Sequence, residues 1–257
     1  MTALSMRYRQ ARELTLALRN PATCFADWFK LRRRPYQVRT RRNLRFELRP
    51  GGGDRFSFYE TVVRGDYLRQ GITLEPGQTV IDVGANIGGF TVVAARAVGP
   101  AGRVLAIEPD AASFEQLTKN VRLNQLTNVT TINAALGDHE GRAAVVAHAN
   151  PLMNRTVAVD EQTDAGVRLF SIGKLLDEHR IERCHFLKMD CEGAEFAIVR
   201  GMTEGDARRI ENIVMETHPS GDDAIDALHQ SLQELGYRTH VGAESLTVAQ
   251  QTALNES

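Results

Sequence analysis

The run Thr79-Val80-Ile81-Asp82-Val83-Gly84-Ala85-Asn86-Ile87-Gly88-Gly89-Phe90 constrains this chain more than any other stretch. Val80, Ile81 and Val83 are β-branched and apolar on both strand faces, the pattern of a parallel strand covered by helices on each side. The glycines that follow allow a sharp turn and close approach of a ligand to the backbone before a helix begins. A strand, turn and helix of this kind suits a nucleotide-like ligand at the carboxyl end of the strand.

Asp82, two residues before Gly84, selects among such ligands. A carboxylate at the strand end attracts ammonium and sulfonium charge and repels a dinucleotide pyrophosphate, which favours S-adenosylmethionine over NAD. The NAD alternative draws on Glu108, 20 residues beyond Gly88 and directly after the apolar run Val104-Leu105-Ala106-Ile107. Both cofactors use an acid at that place. The pattern G-x-G-x-x-G separates them, since it requires glycine at position 86, where Asn86 stands.

With 257 residues and 42% hydrophobic content, the chain can bury one full α/β core. Cys24, Cys184 and Cys191 are widely spaced and odd in number, so neither a disulfide framework nor a zinc knuckle is suggested and a reducing cytoplasm fits. No apolar run is long enough to span a bilayer, and the arginine-rich start lacks the apolar block of a secretion signal. The net charge of −1 hides an asymmetry: residues 1 to 49 hold 13 Lys+Arg against 3 Asp+Glu, leaving the remainder acidic. Arg32-Arg33-Arg34 follows Phe25, Trp28, Phe29 and Leu31. Such a cluster suits peripheral contact with an anionic membrane at its inner face, a phosphorylated substrate or nucleic acid; its bland alternative is a helix packed on its own domain with solvated charges. The chain divides on this basis into a basic helical extension, residues 1 to 43, and a catalytic domain, residues 44 to 257.

Helices are expected over 5 to 19 and 21 to 32, a β-hairpin from 45 to 49 and 56 to 58 across Gly51-Gly52-Gly53-Asp54, and a helix or lid over 59 to 70. Strands and helices then alternate. Strands are predicted at 79 to 83, 103 to 107, 128 to 133, 185 to 189 and 210 to 216, and helices at 88 to 98, 111 to 124, 171 to 179, 193 to 200 and 221 to 235. A hairpin of 142 to 148 with 155 to 160 and closing strands near 237 to 241 and 245 to 249 complete the pattern. The alternation implies an α/β, Rossmann-like, mostly parallel sheet with helices on both faces and ligands at its carboxyl edge.

Strand ends bring Asp82, Glu108, Asn133 and Asp190 to that edge. Glu108 can accept hydrogen bonds from both ribose hydroxyls, and Asn133 or Asp138 can meet the adenine amino group. Leu187-Lys188-Met189-Asp190-Cys191-Glu192-Gly193-Ala194-Glu195 forms a second strand, turn and helix entry. There Asp190 and Glu192 would stand beside the reacting group, Glu195 would favour the first helical turn, and Cys191 would be a buried filler. Glu216 and His218 end the following apolar strand. An alcohol is a poor nucleophile until its proton leaves, so Asp190, Glu192, Glu216 and His218 are the base candidates, with Asp190 or His218 preferred. The same four could hold Mg²⁺ or Mn²⁺, although no spacing is diagnostic and a metal-free site is expected.

Val80 to Gly88, Ile107-Glu108-Pro109 and Leu187 to Glu195, in this order and spacing, resemble the FkbM family of S-adenosylmethionine-dependent methyltransferases over roughly residues 55 to 217. The resemblance implies a seven-stranded class I fold and O-methylation of a hydroxyl on a sugar, glycan or glycolipid, or alternatively on a polyketide-type metabolite. It assigns Asp82, Gly84, Asn86 and Gly88 to the cofactor loop, Glu108 to the ribose, and Asp190 with Glu192 to the reaction centre. Nucleic acid is not expected as acceptor: the Asn/Asp-Pro-Pro-aromatic motif that holds a flipped base is missing, and the acidic core would repel phosphates. Intact acids at both motifs also count against a catalytically idle binding module.

Overall fold

The computed structural model describes residues 3–51, 53–146, 155–159, 166–218, 225–243 and 246–252. Helices α1 (Ala3–Ala17) and α2 (Ala22–Trp28) lead into an antiparallel hairpin of β1 (Tyr36–Arg39) and β2 (Arg45–Leu48). The hairpin expected across the glycine run is therefore formed upstream. Its physical reason lies at Asp54, which is buried and accepts the Arg49 backbone N–H at 2.8 Å and the Arg49 guanidinium at 2.9 Å. That pairing turns the chain after β2 into a short helix, α3 (Asp54–Phe58), whose Phe58 meets Phe46 edge-on at 5.1 Å. A π-helical turn (Tyr59–Arg64) and a 3-10 turn (Asp66–Leu68) follow where a helix or lid element was expected.

The central sheet begins with β3 (Thr79–Val83), α4 (Gly89–Val98), β4 (Arg103–Ile107), α5 (Ala111–Leu123) and β5 (Val129–Ile132). A separate four-stranded sheet interrupts it, made of β6 (Ala134–Gly137), β7 (Gly141–Val146), β8 (Arg155–Val159) and β9 (Val167–Ser171) in the order β6-β9-β7-β8. The predicted hairpin is the β7–β8 pair, but β6 and β9 were not anticipated. Residues 147–154 and 160–165 lie outside the described residues. The chain then runs through α6 (Ile172–Glu178), β10 (Phe186–Met189), α7 (Glu195–Arg200), α8 (Glu204–Ala207), β11 (Asn212–Met215), α9 (Ile225–Glu234), β12 (Tyr237–Val241) and β13 (Thr247–Gln251). Residues 221–224 of the expected last helix are likewise not described.

Strand order is β12-β13-β11-β10-β3-β4-β5. Strands β11, β10, β3, β4 and β5 are parallel, while β13 inserts antiparallel beside β11. This is the seven-stranded, mostly parallel sheet that the resemblance implies. Side-chain alternation explains why both faces are covered: Ile81, Val83, Leu105, Ile107, Leu187 and Met189 feed one buried cluster, and Val80, Val104, Phe186 and Val214 feed another.

The N-terminal segment is fastened to this core. Leu14, Leu18, Cys24, Val38 and Phe46 share a buried cluster with Ile87 and Val92. Along the edge of β2, Asn124 Oδ1 accepts from the Arg45 N–H at 3.0 Å and Asn120 Oδ1 from the Glu47 N–H at 2.7 Å, while Gln116 Nε2 donates to the Glu47 carbonyl at 2.9 Å. These amides satisfy backbone groups that an open edge would leave to water. Residues 43 and 44 fall within the turn of the β1–β2 hairpin.

Candidate active site

The connections β3→β4→β5 build one half of the sheet and β10→β11 the other, so the chain reverses direction between β3 and β10. A crevice opens there at the carboxyl edge. It holds a cavity of about 260 Å³, bounded by Val83, Gly84, Asn86, Glu108, Asp110 and Ser113 on one side and by Glu60, Tyr67, Asp190, Cys191, Glu192 and Glu216 on the other.

Glu108, at the end of β4, is 7% exposed. Its two carboxylate oxygens accept the backbone N–H of Asn86 at 2.7 Å and of Asp110 at 2.9 Å. Burial raises its pKa to about 7, against the lowering effect of those two N–H groups. Asn86 reaches this position with a left-handed backbone, φ 49°, which asparagine tolerates better than most residues. Gly84 is required for a different reason. A Cβ there would lie 1.7 Å from the Asp190 carbonyl oxygen, so the β3 turn packs directly against the end of β10.

Several expected contacts fall elsewhere. Asp82 is fully buried behind the cavity wall, where it accepts from Thr91 Oγ1 at 2.5 Å and pairs with Lys188 Nζ at 3.1 Å. The two are in-register partners on β3 and β10. Lys188 also donates to the Gly84 carbonyl at 2.7 Å and lies 3.8 Å from Asp190. Burial opposes its charge, but Asp82 and Asp190 hold its pKa above the ordinary lysine value. Asp82 thus acts on the turn after β3 through Lys188 instead of facing the cavity. Gly88 packs against Leu117 of α5, since a Cβ would meet Leu117 Cδ1 at 2.6 Å. Asn133 donates to the carbonyls of Glu108 and Pro109, fixing the end of β4 from behind. Asp138 pairs with His139 and Arg200 at the surface, and Ala134, Ala135 and Leu136 line the cavity in its neighbourhood.

At the end of β10 the predicted acids do converge. Tyr67 Oη donates to Asp190 Oδ2 at 2.7 Å and stands 3.4 Å from Glu216 Oε2. Burial first, then the charges of Asp190 and Glu216, keep this phenol neutral by raising its pKa. Glu192 has φ 53°, a left-handed conformation that turns the chain at the cavity wall. Its pKa rises to about 7 through burial, partly offset by His218. Burial also raises Asp190, against the attraction of Lys188. Glu195 is fully buried and folds back on the turn, accepting the N–H groups of Cys191 at 2.7 Å and Gly193 at 2.8 Å. That is more than a macrodipole effect: it holds the loop on which Asp190 and Glu192 sit.

His218 lies just outside the cavity lining, with a side chain 21% exposed. Its Nδ1 is 3.3 Å from Glu195 Oε1, and its Nε2 is 3.5 Å from Glu216 and 3.8 Å from Glu192. Burial pulls its pKa down, but hydrogen bonds with Glu195 and Glu216 and the charge of Glu192 carry it up to about 11. The acids around it favour the imidazolium form of His218, which makes it a poorer proton acceptor at neutral pH than the neighbouring carboxylates. Side-chain donors of Asp190, Glu192 and His218 come within 4.8 Å of one another, a span that a divalent ion could bridge. A metal there would first have to displace the His218 proton.

Sequence reasoning missed Glu60, Arg64, Asp66 and Tyr67, which close the cavity from the π-helical and 3-10 turns. The pKa of Glu60 rises to about 8 through burial and the charges of Glu216 and Asp66.

The matching family model, described as the methyltransferase FkbM domain, spans residues 82–239. The chain belongs to the FkbM methyltransferase family. It is 27% identical over 198 residues to the 31-O-demethyl-FK506 methyltransferase FkbM of Streptomyces tacrolimicus, covering 65% of this chain and 75% of that protein. Hexuronic acid methyltransferase AglP of Haloferax volcanii is 24% identical over 149 residues, 58% of this chain and 59% of that one. AMB antimetabolite synthetase AmbE of Pseudomonas aeruginosa is 27% identical over 234 residues, which are 74% of this chain but only 11% of that protein. Among solved structures, the methyltransferase FkbM from Methylobacillus flagellatus KT aligns with 18% identity and a TM-score of 0.49, covering 75% of this chain and 47% of that one. Glu108, Asp190, Glu192, Glu216 and His218 fall inside the matched span, whereas Glu60 and Tyr67 precede it.

Proposed function

We propose that this methyltransferase uses S-adenosylmethionine to methylate a hydroxyl on a sugar, glycan or glycolipid. The observation that carries this proposal is the Tyr67–Asp190–Glu192–Glu216 cluster facing Glu108 across one strand-end cavity.

The donor set fits the cofactor. Glu108 is a buried carboxylate with its two oxygens fixed by backbone N–H groups, so its remaining lone pairs can accept a vicinal diol, and a cationic ligand nearby would favour its ionised form. Glu108 and the Gly84–Asn86 turn would hold the ribose and amino-acid portions, with Ala134 to Leu136 against the base. When bound, S-adenosylmethionine supplies a methyl group on a sulfonium leaving group.

The chain's own part is to orient the acceptor, exclude water and take one proton. Glu192, half-buried with a pKa of about 7, is the base best poised to receive the hydroxyl proton at its carboxylate. Tyr67 holds Asp190 in place by donating its phenolic hydrogen, with Glu216 alongside. His218, as imidazolium, keeps Glu216 ionised: their hydrogen bond lowers the Glu216 pKa despite burial. The acidity of the wall disfavours phosphate-bearing acceptors.

A polyketide-type acceptor is the second reading, favoured by the likeness to the FK506 enzyme, which covers more of this chain than the likeness to AglP. Mass spectrometry of glycans and of extracted metabolites from cells with and without the gene tests both. Loss of one methyl from a sugar hydroxyl supports the first; loss from a polyketide hydroxyl alone replaces it with the second; retention of every methyl in both pools overturns the proposal.

A further inference from the structure

We infer that the loop from Phe29 to Arg34 docks this protein on an anionic membrane surface. Phe29 is 71% exposed and Leu31 76% exposed, the two largest exposures among the large apolar residues around α2. Neither is excused by the local fold. The end of α2 is a Schellman motif: the Leu31 N–H donates to the Ala26 carbonyl at 2.8 Å and the Lys30 N–H to the Asp27 carbonyl at 2.8 Å. In that motif the residue at the Leu31 position commonly packs back on the last helical turn, yet Leu31 faces solvent. The left-handed position between them, φ 57°, is normally glycine, and here it carries Lys30. The turn thus presents an ammonium between two apolar side chains.

The flanking charges divide by role. Arg32 lies over the Tyr36 ring at 5.0 Å and belongs to the fold, whereas Arg33 and Arg34 are exposed. Lys30, Arg33 and Arg34 therefore flank Phe29 and Leu31 along the chain, all of them exposed, a composition suited to headgroup phosphates and acyl chains. The excess of basic residues over residues 1 to 49 adds a longer-range attraction of the same sign. No helix among the described residues is long and apolar enough to cross a membrane, so this contact is peripheral. Arg55 of α3 stacks on Trp28 at 4.9 Å and lies 3.5 Å from Asp27, and Ser57 of the same helix lines the cavity. One short helix thus joins the docking loop to the cavity wall.

The full chain should be tested by co-sedimentation with phosphatidylcholine vesicles and with vesicles that also contain phosphatidylglycerol. Wild type should sediment with the anionic vesicles only, and salt should release it. Two double variants, F29S/L31S and R33E/R34E, should each weaken binding about tenfold or more while melting at the wild-type temperature. Trp28, the single tryptophan, should shift its emission to the blue on binding in wild type and in neither variant. Absence of binding to anionic vesicles, binding by either variant as tight as wild type, or variants that instead lose self-association or nucleic-acid binding would overturn the inference.

Discussion

Replacing Lys188 with methionine removes a buried cation beneath the turn after β3. Lys188 and Asp82 pair at 3.1 Å with neither side chain reaching water, so the substitution leaves Asp82 with the Thr91 hydroxyl and no countercharge. Removing one partner of a buried ion pair costs about 3–5 kcal/mol, a large share of the roughly 5–15 kcal/mol that holds a domain together. The Gly84 carbonyl loses its donor at the same time. Urea denaturation at pH 7 should therefore show a much lower midpoint with an unchanged slope. The double variant Asp82→Asn, Lys188→Met should recover most of the loss, because position 82 then carries no stranded charge. A single variant within about 1 kcal/mol of wild type at pH 7, or a double variant no more stable than the single, would refute this account of the pair.

Glu192→Gln should lower kcat/KM by about 10²- to 10⁴-fold and abolish the rise in rate through pH 7, as steady-state pH profiles would show. His218→Asn removes the cation beside Glu192 and Glu216, so the same limb should move to higher pH; a downward move would contradict the assignment. His218 also affects stability. Its folded pKa of about 11 exceeds the unfolded value of about 6.5, so its contribution is complete below 6.5 and is lost as pH rises toward 11, at most about 1.4 kcal/mol per pH unit. Wild type should therefore lose more stability than His218→Asn between pH 7 and 10 in parallel urea titrations. Excess chelator should leave turnover unchanged, and lost turnover restored by Mg²⁺ would show that the Asp190 cluster binds metal after all.

Much of the frame was legible because local pattern and global fold agree. Val80 to Val83 and Val104 to Ile107 are apolar on both faces, and their neighbours in the sheet make use of both. Glu108, Asp190, Glu192 and Glu216 could be placed because a parallel sheet puts strand ends on one edge. Asp82 could not be read correctly without its partner: Lys188 lies far away in sequence and becomes adjacent only through the β3–β10 register. Glu60 and Tyr67 sit on π-helical and 3-10 turns, which lack the periodicity that reveals a helix. The glycine run signalled a turn, but Arg49 and Asp54 decided which segments it joined. Strands β6 and β9 are short, and β6 follows β5 after Asn133 alone, with no turn residues to mark a new sheet.

The central claim is that Glu108 and the Gly84–Asn86 turn bind the methyl donor. Isothermal titration with S-adenosylhomocysteine measures it without requiring the acceptor. Wild type should bind, more tightly above pH 7 than below it as Glu108 ionises, and Glu108→Gln should bind about ten- to a hundredfold more weakly through loss of charged hydrogen bonds. No heat with that ligand or with S-adenosylmethionine, together with saturable uptake of NADH, would contradict the account.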